Sequence, residues 1–242
     1  MKKIFLLLVT VFVFTIVKSQ TLAQFLNQKK EGYKISGEIK GMQDTTVILA
    51  YYFGGKQYAT DTTEITNGKL TFSGDKELEG GIYLMVLPGG KYFELIISEQ
   101  KFSFTTDKND LVQSMRFQNS RENTTFYEYL NYITEKQKEV SPLKEKQNNA
   151  KSEEEKEKIQ KEIAKVDEDV REYRNTFNKK YPNVFFSKII RATTDIQIPE
   201  TPLDSVGKPK ENFSFYYYRK HFWDNMDFSD ERMLRTPFFF NK

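Results

Sequence analysis

The apolar residues of this chain change their spacing near residue 120, and this change constrains the fold more than any other feature. From Tyr33 to Thr106, apolar and polar residues alternate in short runs. Beyond residue 120, apolar residues recur at intervals of three and four in long charged segments. Alternation is typical of strands with one buried face, and the longer spacing is typical of amphipathic helices. The sequence therefore predicts an α+β fold, with an N-terminal antiparallel β-sandwich or open barrel followed by helices.

Seven short runs in the first half have the pattern of strands, and glycine, asparagine or proline separates them. The runs cover residues 33–40, 45–52, 57–65, 69–72, 81–87, 91–97 and 101–106. Alternation places Tyr33, Ile35 and Ile39 on one face of the first run. Asn67-Gly68 is the clearest hairpin turn, because both residues tolerate the positive φ of a type I′ turn.

Two narrow apolar stripes in the second half predict a long antiparallel helical hairpin with the seam of a coiled coil. The stripes are Phe126, Leu130, Ile133, Gln137 and Val140, then Ile159, Ile163, Val166, Val170, Tyr173 and Phe177. Ser141-Pro142 predicts that the first helix breaks and restarts, since proline favours the first turn of a helix. Ser152 and Glu155 form a capping box that opens the second helix. The dense Lys and Glu residues of 144–172 indicate a solvated helix face.

The first nineteen residues have the pattern of a secretory signal peptide. Lys2 and Lys3 precede an uncharged run from Ile4 to Val17, and Ser19 is a small residue at the expected cleavage site. Fourteen helical residues span about 21 Å, which is short of the ~30 Å hydrocarbon core of a bilayer. We therefore expect cleavage, export to the periplasm or cell envelope of a Gram-negative bacterium, and no stable membrane insertion afterwards. An uncleaved anchor is the alternative.

Composition excludes several classes of function. The chain has no cysteine and one histidine. Disulfides, thiolate nucleophiles, iron–sulfur clusters and multi-histidine metal sites are therefore excluded. Removal of the leader leaves 34 basic residues against 34 acidic ones, so net charge gives no argument for nucleic acid. With no phosphate-binding glycine loop and no GxSxG or HExxH motif, we expect no cofactor and no enzymatic activity.

The C-terminal segment holds more aromatic residues than an exposed tail normally carries, and it is the candidate interaction surface. Its candidate residues are Tyr216, Tyr217, Tyr218, Arg219, His221, Phe222, Trp223, Asp224, Arg232 and Arg235. The segment covers either the chain's own sandwich and helices or a further domain or subunit. We expect Arg219, Lys220, Arg232 and Arg235 to surround the rings and to make cation–π contacts or ion pairs with Asp224 and Asp227.

Two further hypotheses about this segment concern catalysis and metal binding. His221 would have to serve any Ser–His–Asp arrangement, but no nucleophile elbow or oxyanion signal accompanies it. Asp224, Asp227 and Asp230 lack the spacing and the glycine of a calcium loop, so we expect no metal site. More simply, His221 packs among the rings, and Asp227 or Ser229 caps a helix that begins near Glu231.

Several segments resemble a known family arrangement. Residues 35–41 (ISGEIKG), 69–74 (KLTFSG) and 81–97 resemble the β-rich N-terminal domain of unknown function of Bacteroidetes envelope proteins. Residues 181–190 (YPNVFFSKII) and 217–239 (YYRKHFWDNMDFSDERMLRTPFF) resemble the helical region that follows it. The resemblance implies a thioredoxin-like domain of the peroxiredoxin/TlpA/ResA type beyond this region, with a cysteine pair for thiol–disulfide exchange. This chain has no such pair, so the resemblance implies a fragment or a gene that lost its redox domain.

Together these observations lead to one expected role and one alternative. The expected role is that of a non-catalytic accessory region of an exported thioredoxin-like oxidoreductase, which it contacts in cis or in trans. Homo-oligomer contacts through the helical hairpin are a further expected partnership. The alternative is a stand-alone binding module for a glycan, peptide or protein, with Tyr51, Tyr52, Phe53 and Tyr58 as candidate contacts. The expected division is signal peptide 1–19, β-sandwich domain 30–110, helical hairpin 120–195, and linker with aromatic-rich segment 196–242.

Overall fold

The computed structural model describes residues 32–241, so the predicted signal peptide lies outside the described residues. Eight strands come first: β1 (Lys34–Lys40), β2 (Thr45–Phe53), β3 (Lys56–Ile65), β4 (Lys69–Ser73), β5 (Gly81–Val86), β6 (Tyr92–Ile97), β7 (Lys101–Asp107) and β8 (Arg116–Gln118). Four α-helices follow: α1 (Arg121–Asn149), α2 (Glu153–Lys180), α3 (Phe185–Ala192) and α4 (Phe213–His221). Short 3₁₀ helices span Pro88–Gly90, Glu231–Arg235 and Phe239–Asn241. The predicted α+β class is confirmed.

The strands form two four-stranded sheets that pack face to face. The first sheet has the order β4-β1-β7-β8 and the second has the order β3-β2-β5-β6. Ile35, Ile39 and Phe104 of the first sheet and Leu49 and Leu95 of the second are almost completely buried between them. Ile35 and Ile39, on the predicted inward face of the first run, therefore lie in the core of the sandwich.

The sheets are not wholly antiparallel, because β1 pairs with β7 in parallel. Alternation of apolar residues shows which side chains face inward, but it does not determine which strand is the neighbour or in which direction it runs. The parallel pairing places Gly37 beside Phe104, and a Cβ atom at position 37 would lie 2.2 Å from the Phe104 ring. Glycine at this position therefore allows the ring to lie against the backbone.

The predicted turn at Asn67-Gly68 has positive φ at both residues, with values of 52° and 77°. A bridge between Thr66 and Lys69 closes it. The two strands that it joins then diverge into different sheets, since β3 belongs to the second sheet and β4 to the first. The turn is therefore a corner of the sandwich and not the tip of a long hairpin.

Helices α1 and α2 form the predicted antiparallel hairpin. Ile159, Ile163 and Val166 of α2 are buried against α1, and Phe177 is buried at the base of the hairpin. At that base Phe177 and Phe126 contact Phe186 of α3, with ring centroids 6.0 and 4.7 Å apart. The base of the hairpin therefore shares an aromatic core with α3.

The predicted break at Ser141-Pro142 is wrong, because α1 continues through Pro142 to Asn149. Proline removes one N–H donor from the helix but does not force it to end. The Ser141 hydroxyl donates a hydrogen bond of 2.8 Å to the carbonyl of Gln137, one turn earlier. At the other end of the connection, Ser152 accepts a hydrogen bond from the Glu155 N–H, as the capping pattern predicts.

The C-terminal segment returns to the sandwich, where the 3₁₀ helix Glu231–Arg235 contacts β5 and β2. Met233 and Thr236 are buried there. Asp230 caps this short helix and accepts a hydrogen bond from the Arg232 N–H, so the expected cap at Asp227 or Ser229 is wrong. A cap at Asp227 or at Ser229 would start the helix three residues or one residue earlier than a cap at Asp230 does.

Candidate functional site: an aromatic ridge and the clasp that holds it

Helix α4 carries half of the ten residues that the sequence marked as an interaction surface, and none of its side chains is buried. Tyr216 and Tyr218 are exposed, and Trp223 just beyond the helix is 45 % exposed. Tyr217 is half-buried, because residues spaced by four share a helix face and its ring contacts Phe213 and His221. The helix therefore presents aromatic rings on more than one side.

The aromatic rings from Tyr218 of α4 onward form a continuous series that ends on the sandwich. Successive ring centroids lie 4.7 to 6.3 Å apart. The series runs through Tyr218, Phe222, Trp223, Phe228, Phe239, Phe240 and finally Phe53 of β2. We call these seven residues the aromatic ridge. Such edge-to-face and tilted pairs are favourable arrangements for aromatic rings.

The ridge is unusually exposed for apolar side chains that touch one another. Phe228 is 63 % exposed, Phe240 is 46 % exposed and Phe53 is 41 % exposed. A contiguous apolar patch of this kind marks an interaction site more often than scattered apolar residues do. Beside it, a cleft of about 340 Å³ lies between residues 192–196 at the end of α3 and the rings of Tyr218, Phe222 and Phe238. The ridge and the cleft together form the candidate site.

Arg232 does not lie around the rings as the sequence predicted, but fastens the C-terminal segment to the body. Its guanidinium makes two hydrogen bonds of 2.8 and 2.7 Å with the Asp230 carboxylate and one of 2.8 Å with the Ser98 hydroxyl. It also lies over the ring of Phe185, 4.5 Å from the centroid. The bidentate pair has the geometry in which arginine binds carboxylates most strongly.

Three further charged side chains complete this arrangement, which we call the clasp: Glu122, Lys188, Asp227, Asp230 and Arg232. Lys188 of α3 lies 2.8 Å from the Asp227 carboxylate and 2.7 Å from the Asp230 carboxylate. Glu122 of α1 accepts the Phe185 N–H at both carboxylate oxygens, at 2.7 and 2.9 Å. The clasp therefore joins α1, α3 and the C-terminal segment.

Arg235 and Asp224 also have partners that the sequence did not predict. Arg235 pairs with Glu79 and lies 5.8 Å from the centroid of Phe53, so it reaches the sandwich end of the ridge. Asp224 lies 2.6 Å from His221 and not beside an arginine. Arg219 is exposed on α4. The Arg235 contacts could not be read from the sequence, because Glu79 and Phe53 lie far from it along the chain, whereas His221 lies only three residues before Asp224.

The clasp shifts the pKa values of its acidic residues. A hydrogen bond from Lys188, with others from Ser229, lowers the pKa of Asp227 to about 2. Burial opposes ionisation of Asp230, but hydrogen bonds from Arg232 and Lys188 outweigh it and hold the pKa of Asp230 well below its usual range. Burial raises the pKa of Glu122, and hydrogen bonds from the Phe185 N–H offset this only in part.

These shifts predict that acid weakens the clasp. Asp227 and Asp230 bind protons less readily in the folded chain than in the unfolded chain, so their stabilisation is present above pH ~4 and is lost as the pH falls below it. Glu122 has the opposite effect on stability. Its pKa is higher in the folded chain, so its protonation near the usual pKa favours the folded chain. We expect the melting temperature to fall between pH 4 and pH 2, and Lys188→Met to flatten that fall.

The control for this pH profile is Lys158→Met, which removes an exposed lysine from α2. It should leave the pH profile of the melting temperature unchanged, since surface charges away from partners contribute little. A Lys188→Met profile as steep as that of the unmodified chain would contradict the role of the clasp.

His221 shows no arrangement for nucleophilic catalysis. Its Nδ1 atom lies 2.6 Å from the Asp224 carboxylate, and its ring lies 4.2 Å from that of Tyr217. Within residues 32–241 no serine hydroxyl hydrogen-bonds the imidazole, and no three His, Asp or Glu side chains are placed to hold a metal ion.

Over the same range, no helix is both long and apolar enough to span a bilayer.

One family model matches the chain, and it covers the sandwich together with the start of α1. The chain has no cysteine and matches no family of enzymes. No curated protein and no solved structure matches it. Over residues 33–126, the chain is similar to the family described as "Domain of unknown function (DUF4369)".

Proposed function

We propose that this chain is a non-catalytic accessory module that docks a thioredoxin-like domain, in cis or in trans, on its aromatic ridge. The observation that carries the proposal is the unbroken contact of seven rings, five of them exposed, from α4 to the sandwich. Large aromatic side chains at the centre of a patch supply most of the binding energy of many protein interfaces. The resemblance of residues 217–239 to the region before a redox domain supports a thioredoxin-like domain as the partner.

In this proposal the partner, and not this chain, carries out the redox step. Thiol–disulfide exchange requires a thiolate, and the chain contains no cysteine. The chain would therefore orient the redox domain or shape access to it, and it would act outside the cytoplasm, as the predicted signal peptide indicates. Export is tested by fractionation of cells that express the full-length chain.

The helical hairpin supports oligomer contacts less well than the ridge supports docking. Ile159, Ile163 and Val166 are already buried within the chain. Within the described residues, none of the strongly exposed large apolar side chains lies on α1 or α2. Self-association through the hairpin would therefore use its charged faces, which bind weakly and are screened by salt.

Trp223→Ser combined with Phe228→Ser is expected to abolish docking. The binding partner is the purified thioredoxin-like domain of an envelope oxidoreductase that carries the same β-rich N-terminal domain, immobilised for surface plasmon resonance. Both changed side chains are strongly exposed, so we expect an unchanged melting temperature. Loss of two aromatic contacts should weaken binding by roughly 30-fold or more.

The matched control for docking is Phe215→Ser. Phe215 is 61 % exposed on the same helix, but it lies outside the ridge. The affinity of Phe215→Ser for the thioredoxin-like domain should lie within about twofold of that of the unmodified chain. Equal weakening in the control and in the double variant would show that the ridge is not the interface. No measurable binding by the unmodified chain would contradict the proposal itself.

The alternative function, a stand-alone binding module, receives partial support from the four expected sandwich residues. Phe53 and Tyr58 are exposed, whereas Tyr51 and Tyr52 are half-buried. The Tyr52 hydroxyl donates to Glu94, 3.1 Å away, and so is occupied within the sandwich. Two exposed rings on one hairpin form a smaller surface than the ridge, and one of them, Phe53, already belongs to it.

A further inference from the structure

The outer face of the first sheet forms a groove that none of the proposals above uses. The groove has a volume of about 400 Å³ and runs along β1 and β7, with β4 and β8 as its two walls. Ser36, Glu38 and Ser103 on the central strands are half-buried and form the floor. Lys69 on β4 and Arg116 on β8 are exposed at the walls.

Strand register places the charged side chains at one level across the groove. Glu38 pairs with Lys69 on one side and with Thr105 on the other, and Thr105 pairs with Arg116. Since neighbouring strands lie about 4.8 Å apart, the two cations stand roughly 14 Å apart at the backbone, with one carboxylate between them. No ion pair joins these three charges in the part of the chain that the structure describes.

The next level along the strands contains only hydroxyl and amide groups. Ser36 pairs with Thr71 and with Ser103, and Ser103 pairs with Gln118. The Ser36 and Thr71 hydroxyl oxygens lie 3.3 Å apart. These groups both donate and accept hydrogen bonds, so they suit a ligand that carries many hydroxyls.

The strand at the centre of the groove has no free backbone groups for a ligand. Leu70, Phe104 and Phe117 border the groove. Leu70 and Phe104 are buried in the core, and the half-buried Phe117 packs its ring against Phe104 and Tyr127. The backbone of β1 is hydrogen-bonded on both sides, to β4 and to β7. A peptide therefore cannot add a strand beside β1 on the floor of the groove.

We propose that this groove binds an acidic oligosaccharide, a chain of sugars that carry carboxylates. Lys69 and Arg116 would pair with carboxylates at the walls, as cationic side chains do in charge-assisted hydrogen bonds. Glu38 and the hydroxyls of the floor would bind the sugar hydroxyls. The site is independent of the aromatic ridge, because it lies on the other sheet and shares no residue with it.

The experiment is calorimetric titration of the full chain at low salt with trigalacturonic acid. Maltotriose, a neutral trisaccharide, and a hexa-aspartate peptide are titrated in parallel. We expect binding of the acidic trisaccharide and at least about tenfold weaker binding of each of the other two, because only the first has both carboxylates and hydroxyls. Equal binding of the peptide would overturn the sugar assignment, and no binding of trigalacturonic acid would overturn the proposal.

Point variants test whether the trisaccharide binds in this groove. Lys69→Ala and Arg116→Ala should each weaken binding of trigalacturonic acid by about tenfold, since each removes one charge partner. Lys56→Ala removes an exposed lysine from the second sheet and should leave affinity unchanged. Ser103→Tyr fills the floor of the groove and should abolish binding without loss of either cation. Unchanged affinity in all three groove variants, with melting temperatures near that of the unmodified chain, would overturn the location.

Discussion

Arg232→Ala is expected to lower the free energy of unfolding by about 3 kcal/mol, since it removes one partner from a largely buried ion pair. The Asp230 side chain is only 8 % exposed, and without Arg232 its carboxylate retains only Lys188 as a charge partner. The Ser98 hydroxyl and the face of the Phe185 ring lose their contacts as well. Guanidinium denaturation measures the loss, and limited proteolysis should show earlier cleavage after residue 195.

Two variants control for this prediction. Arg219→Ala removes an exposed arginine from α4 and should change stability by less than about 0.5 kcal/mol. Arg232→Lys keeps the charge but cannot make the bidentate contact with Asp230, so it should recover only part of the loss. Equal stability of Arg232→Ala and Arg219→Ala would show that the clasp does not hold the segment.

Asn123→Ala is expected to lower the free energy of unfolding by about as much as Arg232→Ala, although asparagine carries no charge. Asn123 is completely buried at the start of α1. Its side-chain carbonyl accepts the Ile96 N–H at 2.7 Å, and its amide donates to the Ile96 carbonyl at 2.8 Å. Since β6 is the edge of the second sheet, this side chain takes the place of a neighbouring strand.

Alanine at position 123 would leave the Ile96 N–H and carbonyl buried without partners. Each unsatisfied group costs about 1–3 kcal/mol, so we expect a loss of about 3 kcal/mol and faster hydrogen exchange at Ile96. Asn109→Ala, at an exposed position, is the control and should be nearly neutral. A loss below ~1 kcal/mol with unchanged protection of Ile96 would contradict this account.

Regular periodicity made the scaffold predictable from the sequence. Alternation located the first seven strands and put Ile35 and Ile39 in the core, and the two apolar stripes located the helices of the hairpin. Strand β8 was missed because three residues, Arg116–Gln118, are too few to show a period. The parallel pairing of β1 and β7 was missed because side-chain pattern contains no information on strand direction.

The candidate site was less predictable, because its contacts join residues far apart in sequence. The aromatic composition of 213–240 marked the surface, but the contact of Phe240 with Phe53 of β2 depends on tertiary folding. Arg232 was expected among the rings, and it binds Asp230 and Ser98 instead. Asn123 gave no signal at all, since one asparagine near a helix start usually serves as a cap.

The ridge is a composite of the sandwich and the returning C-terminal segment, and this has a thermodynamic consequence. Phe53 and Phe240 meet only while the segment is seated on β2 and β5. A ligand that needs both must bind the seated form, so binding and seating are linked equilibria that strengthen each other. An occupied ridge would hence protect a distant part of the chain, the loop at Ser98, from local opening.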